Sequence, residues 1–395
     1  MLGKLNYKNI SLLVLILAPF LITSFNIFFI NQNYFFVFLS FILFFIFFPR
    51  DFNIKYFNLF LFTIFFFIMS NLFFVPYSDF KNLLNQSIYF SVIFLLFLTF
   101  CDLNKLEFEI ILKVLFFILL IYLIFILYLL ISHPKILFYY GKANFNSWYS
   151  TISHLISKQT LSIILLWFFS ILLSFNTKWK YFLLIALLMP FIGIRTLMFS
   201  FLLFFIADFL LNYKFFRFSI LLTPFLIFFL ADIYFFLDYF NIQDARMFYL
   251  EYFLKLDIPF LGFGFGSTDE VMTFYQPLYF DDLLAFYDMS ILTETNRILA
   301  TVESSYLKLI IEQGYFFTFL FIFLNVYIIY IFYELKIKSK EKFFDIFTRK
   351  IFLIYFFMNV TEDNMFNIYW WLMIFFLFLY FYKNKNEINS IYKLS

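Results

Sequence analysis

Charge is what this chain has least of. Only 13% of its 395 residues are Asp, Glu, Lys or Arg, against about 25% in a soluble domain. Hydrophobic residues make up 65%, and Phe alone contributes 76. No water-facing surface could hide that excess, so a soluble enzyme or binding domain is excluded. Cysteine is scarcer still. The single Cys101 excludes an internal disulfide and supplies no metal cluster; an ordinary buried thiol is expected. A cleavage signal after the first apolar run is also missing. Lys4 and Lys8 precede an apolar run from Ile10 to Ile22, but no small-x-small site follows and the apolar residues continue to Ile30. That pattern predicts an uncleaved first span. Internal repeats and two-half symmetry, which mark many transporters, are absent from the sequence.

What is there is hydropathy. A spanning helix needs roughly 20 apolar residues. Candidate runs fall at 10–30, 34–48, 56–75, 83–100, 110–131, 159–175, 180–194, 196–211, 218–237, 315–333, 350–361 and 366–382. The expected fold is therefore all-α: a polytopic integral membrane protein of about 12 transmembrane helices, with residues 1–395 in a single membrane domain. Most Phe side chains are expected to face lipid. Taking the N-terminus as inside, the inner segments hold Lys4, Lys8, Arg50, Lys55, Lys105, Lys113, Lys178, Lys180, Lys214, Arg217, Lys336, Lys338, Lys340, Lys342, Arg349, Lys350, Lys383, Lys385 and Lys393. These are 19 of the 28 basic residues. The bias repeats at every inner segment, which predicts an even number of spans and both termini in the cytoplasm.

The same rule makes 180–211 a hairpin, because both flanks (Lys178/Lys180 and Lys214/Arg217) are basic. Pro190 and Gly193 weaken the helix just before the turn. Each arm is about 22 Å long, short of the roughly 30 Å hydrocarbon core. Arg195 is then held near the outer face but below its surface. A charge there costs at least ~2.5 kcal/mol on insertion scales. It either snorkels to the outer headgroups or offers its planar fork of donors to phosphate oxygens.

Residues 238–302 form the longest polar stretch, expected as one large outer (periplasmic) loop. Its acids (Asp238, Asp244, Glu251, Asp257, Asp269, Glu270, Asp281, Asp282, Asp288 and Glu294) outweigh Arg246, Lys255 and Arg297. An acidic surface repels anions, so any phosphate site there must be made locally by an arginine. Asp281 and Asp282 are adjacent but lack cation-ligand spacing. GFGFGS at 262–267 is followed by no Lys-Ser/Thr, so it is not a nucleotide loop. It predicts instead a tight bend, or a close approach of backbone, at Gly262, Gly264 and Gly266.

Residues 303–316, ESSYLKLIIEQGYF, lead from this loop into a solid apolar run. If helical, they set Glu303, Tyr306, Leu307 and Ile310 on one face and Glu312 on the opposite one. Glu312 has Lys308 four residues before it as a local partner; Glu303 has none on its helix. A helix from 303 to 333 would be about 46 Å long, so either its first turns stand above the hydrocarbon or it breaks at Gly314. Glu303 lies at its N-terminus. It is either a carboxylate favoured by the helix dipole or a reactive base. Glu362 and Asp363 fall at the outer tip of the last hairpin.

The order of these features resembles the bacterial O-antigen polymerase and ligase superfamily of polytopic glycosyl transferases. The likeness rests on G-I-R-T around Arg195, on ARMFYLEYFLKLDIPFLGFGFGS from Ala245 to Ser267 with its P-x-x-G-x-G-x-G ending, on ESSYLKLIIEQGYF, and on Thr361 and Glu362 in the closing hairpin. It covers roughly the second half of the chain. The ligase branch typically has His where this chain has Glu303, which favours the polymerase branch. The resemblance implies an enzyme of the bacterial inner membrane, acting at its periplasmic face. It would move a growing glycan from undecaprenyl pyrophosphate to a hydroxyl of a new lipid-linked repeat unit, with no cofactor, metal or nucleic acid. Glu303 would be the base, with Arg195 and Arg246 set against pyrophosphate charge. Gly262, Gly264, Gly266, Arg297, Tyr306 and Glu362 would contact substrate, Tyr306 either stacking on a sugar or merely packing. A chain-length regulator and a flippase are the partners implied. A lipid-linked oligosaccharide flippase is the rival from another class.

Overall fold

In the computed structural model of the chain, the described residues are 6–25, 32–48, 80–132, 158–175, 195–222, 257–268, 271, 304–338, 342–361 and 368–392. Among them every regular element is helical. The helices are α1 (Tyr7–Phe25), α2 (Gln32–Ile46), α3 (Phe80–Phe100), α4 (Lys105–Ser132), α5 (Lys158–Ser174), α6 (Arg195–Leu210), α7 (Lys214–Ser219), α8 (Ser305–Lys338), α9 (Phe343–Thr361), α10 (Ile368–Lys383) and α11 (Lys385–Tyr392). A 3-10 turn, Ile220–Leu222, follows α7.

Three segments are long and apolar enough to cross a membrane: Leu83–Phe100, Lys105–Phe125 and Ser305–Lys336. Shorter apolar helices run over Tyr7–Pro19, Phe35–Ile46, Ile163–Ser174, Ser200–Leu210 and Ile368–Lys383. The chain is thus a helical protein built for the bilayer. Of the spans expected from hydropathy, 56–75, 180–194 and most of 218–237 lie outside the described residues, as does most of the loop 238–302. The hairpin expected over 180–211 is represented by its second arm, which begins at Arg195.

The bundle is organised around α9, which packs against α4, α5, α6, α8 and α10. α1 rests on α2, α4 and α5, while α3 lies between α2 and α10. Large aromatic rings fill these contacts. Trp167 of α5 meets Phe347 and Phe376 at 5.6 and 5.7 Å between ring centres, and its indole N–H donates to the Tyr355 hydroxyl at 3.1 Å. Phe108 stacks on Phe344 at 5.0 Å, and Phe332 sits edge-on to Tyr380 at 4.6 Å. Among the described residues Phe is divided between the core and the lipid-facing surface. Phe36, Phe100, Phe108, Phe344, Phe347 and Phe376 are fully buried, whereas Phe38, Phe45, Phe117 and Phe209 are exposed. In lipid the hydrophobic effect does not distinguish helix from solvent, so close van der Waals fit has to hold the helices together. Interlocked rings provide it here.

Six hydroxyls inside the bundle are satisfied locally. Ser40, Ser87, Ser170, Ser174, Thr318 and Thr348 each donate a hydroxyl to the carbonyl four residues back. These bonds need no partner from another helix.

Candidate functional site

Two polar regions stand out, one at each end of α9. At its C-terminal end, the described part of the large loop meets the start of α8. Ser304 caps α8, its hydroxyl accepting from the Leu307 amide at 3.4 Å, as a helix N-cap does. The same hydroxyl and that of Ser305 reach the Asn359 carbonyl and side-chain oxygen at 3.4 and 3.3 Å. Tyr306 is buried, and its hydroxyl donates to the Phe356 carbonyl at 3.1 Å. Of the two readings open to Tyr306, the structure has it packed on α9.

Nine residues past its first turn's start, α8 breaks. Gly314 takes φ 75°, ψ 174°, between two helical stretches. This is the break that the helix length made necessary unless the first turns stood clear of the hydrocarbon. The carbonyls of Ile311 and Glu312, which a helix interior would offer to residues 315 and 316, accept from the glycine loop. The Phe263 amide bonds to Ile311 O at 2.8 Å and the Gly264 amide to Glu312 O at 3.0 Å. The loop closes on itself through Gly262 N to Pro259 O at 2.8 Å and Ser267 Oγ to Gly264 O at 2.6 Å.

Glycine is required at the crossing. Gly262 and Gly314 lie backbone to backbone, both at positive φ. A Cβ on Gly262 would stand 2.5 Å from the carbonyl carbon and oxygen of Glu312 and from the Gly314 amide nitrogen. A Cβ on Gly314 would overlap the Phe260 carbonyl. Gly264 and Gly266 also take positive φ, 111° and 79°. The tight bend and close approach expected at these glycines thus occur, and the backbone approached at Gly262 is that of α8. Beside the crossing, Thr268 Oγ1 donates to Glu312 Oε1 at 2.7 Å. Thr268 and Glu312 are both buried, at 2% and 1% exposure. The sequence offered Lys308 as Glu312's neighbour; Thr268, 44 residues away, was not foreseeable from local spacing.

The remaining candidates divide plainly. Arg195 opens α6, with its side chain outside the described residues. Arg246, Arg297, Glu303 and Glu362 lie outside them entirely. Gly262 and Gly264 lie against residues 311–314, at the end of the first segment of α8, while Tyr306 packs on α9 near the start of that segment.

At the other end of α9 lies a charge network whose members sequence reading distributed over separate spans and inner segments. Lys350 forms an ion pair with Asp208 of α6, and the Tyr333 hydroxyl donates to the same carboxylate. The Arg349 guanidinium lies 5.1 Å from the centre of the Tyr333 ring and the Lys336 ammonium 5.6 Å. Arg217 pairs with Glu334 at 2.9 Å. Nearby, Lys105 bonds to Asp345 at 3.0 Å and Lys8 to Asp102 at 2.6 Å. These pairs tie together the segments that charge alternation set on one side. Arg349 and Lys350 are buried helix residues, because α9 begins at Phe343 rather than near residue 350, and Arg217 is buried on α7. Asp208 was the one available signal: a carboxylate in an apolar helix requires a partner.

No family model, curated protein or solved structure matches this chain.

Proposed function

We propose that this protein is a surface-polysaccharide polymerase of the O-antigen type, acting at the periplasmic face of the bacterial inner membrane with both termini in the cytoplasm. The observation that supports this reading is the contact between two motifs distant in sequence. The P-x-x-G-x-G-x-G ending of the large loop lies against the far end of the ESSYLKLIIEQGYF stretch, joined by the Phe263 and Gly264 amides to the carbonyls of Ile311 and Glu312. Motifs that meet in space belong to one site more readily than motifs that share only their order.

In the proposed reaction a hydroxyl of a lipid-linked repeat unit attacks the anomeric carbon of the growing glycan. The new glycosidic C–O bond forms as the bond to undecaprenyl pyrophosphate breaks. Glu303 accepts the hydroxyl proton, and Arg195 and Arg246 offset the negative charge gained by the departing pyrophosphate. Gly262, Gly264, Gly266, Arg297, Tyr306 and Glu362 shape the substrate side, Tyr306 through packing. The substrate pair is undecaprenyl-pyrophosphate-linked oligosaccharide, presented by the bilayer, with a flippase supplying it and a chain-length regulator limiting the product.

A surface-glycan gel of a deletion strain tests this. Core bearing a single repeat and no ladder is expected, with the ladder restored by the gene. Loss of every repeat with capped glycan on the carrier would indicate a ligase, and single repeats trapped on the inner leaflet a flippase. In the restored strain, Glu303→Gln, Arg195→Ala and Arg246→Ala should each abolish the ladder while the protein stays in the membrane. A normal ladder from any of the three removes that residue from the scheme.

A further inference from the structure

The glycine loop does more than line a site. We infer that Pro259–Thr268 is a latch that holds the break at Gly314 open and so fixes the direction of the segment Ser305–Gln313, making Gly262, Gly314, Thr268 and Glu312 positioning residues for the chemistry at the start of α8. This deepens the polymerase reading and rests on it.

The hydrogen bonds carry the inference. A helix broken in the membrane leaves carbonyls that must find new donors. The Phe263 and Gly264 amides occupy Ile311 O and Glu312 O at 2.8 and 3.0 Å. Those donors come from the large loop, so the shape of α8 depends on a segment more than 40 residues earlier in the chain. The crossing admits no side chain, since a Cβ on either Gly262 or Gly314 collides with main-chain atoms of the other segment. Main chain against main chain leaves little room to slide, which suits a register lock. Thr268 to Glu312 then fastens the latch by a buried side-chain bond at 2.7 Å. Beyond the break, Ser304 and Ser305 meet Asn359, and Tyr306 meets Phe356. The short segment is thus gripped from the loop on one side and from α9 on the other. Glu303 precedes its first residue by two positions in the chain, through Ser304. An error of about 1 Å in the placement of a reacting group can cost about 100-fold in rate, which gives such a grip a purpose beyond stability.

The test uses the full chain purified in detergent, with two readouts. Hydrogen–deuterium exchange is followed on peptides covering 259–268. Polymer formation from lipid-linked repeat units is followed in the same preparation. Thr268→Val should speed exchange of the loop amides and lower kcat about tenfold, with KM within about twofold. Thr268→Ser should restore both, since it keeps the donor. Gly314→Ala should release the loop entirely, and Glu312→Gln, which keeps an acceptor oxygen, should retain it. Unchanged exchange in Gly314→Ala would overturn the latch. Faster exchange with unchanged kcat in Thr268→Val would overturn the positioning role. No polymer from the wild-type chain would overturn the functional reading and the positioning role with it, while exchange still decides the latch.

Discussion

Replacing Asp208 with Asn removes the carboxylate that faces both Lys350 and Tyr333. Lys350 then remains buried with no acid on that side and with Arg349 and Lys336 ranged about the same tyrosine ring. Breaking a buried pair from one side costs about 3–5 kcal/mol. Asp208 keeps 24% of its side chain exposed against 9% for Lys350, so some charge reaches solvent or headgroups. The lower end, about 3 kcal/mol, is the reasonable figure. If the network forms late in folding, that falls on unfolding and shortens the lifetime of the folded protein in detergent about 100-fold. Lys350→Met should cost less, because Asp208 retains the Tyr333 hydroxyl and the nearby Arg349. The double variant should recover at least half of the Asp208→Asn loss, since no lone charge is left. The assay is survival of the monodisperse species at fixed temperature, read by size-exclusion chromatography for wild type, both single variants and the double. Single-variant losses that add within about 0.5 kcal/mol would refute the coupling and leave Asp208 as an independent surface acid.

Other perturbations report on other contacts. Trp167→Phe should destabilise the chain by about 1–2 kcal/mol by leaving the buried Tyr355 hydroxyl without its donor, and adding Tyr355→Phe should restore most of the loss; equal stability of wild type and Trp167→Phe in thermal unfolding would exclude a net role for this bond. Cys101, in the turn after α3, has its thiol pushed up by burial and further by Asp102, against opposing Lys383 and Lys8. At neutral pH its thiolate fraction is therefore below that of a free thiol, so maleimide labelling should be slow and should rise with pH later than for a free cysteine. Asp102→Asn should quicken it, and an unchanged pH profile would remove Asp102 as a cause. Gly262→Ala should cost at least about 1–3 kcal/mol through its positive φ and its clash with Glu312 and Gly314, measured by the same survival assay.

How much of this was legible in sequence depends on the physics involved. Hydropathy located α1 to α6, α8 and α10, because a long apolar run has one use in a membrane protein. A break at Gly314 was one of two outcomes the length of the helix allowed, the other being first turns that stand clear of the hydrocarbon. The bends at Gly262, Gly264 and Gly266 were legible because a glycine cluster without phosphate-loop context has to serve the backbone. The partner of that bend was not, since nothing local ties residue 262 to residue 312. The start of α9 was misplaced for a related reason. Arg349 and Lys350 read as loop charges by local rules, and only the arrival of Asp208 and Tyr333 from other helices lets them sit inside. Phe gave no guidance on burial, because the same residue suits lipid and core equally.

The make-up of α9 bears on how the chain enters the membrane. This helix lies at the centre of the bundle, yet it qualifies neither among the long apolar segments nor among the short ones. Its first two turns hold Asp345, Arg349 and Lys350, each costly to leave in hydrocarbon alone. The insertion machinery therefore has little reason to release it into lipid as a separate helix. α4, α5, α6 and α8 are all synthesised before it, and with them Asp208 and Lys105, its counter-charges. α9 is then the element that waits for its neighbours. Ribosomes stalled before α10 should still hold it at the insertion channel, and a chain that lost Asp208 should be recognised by membrane quality control at this step.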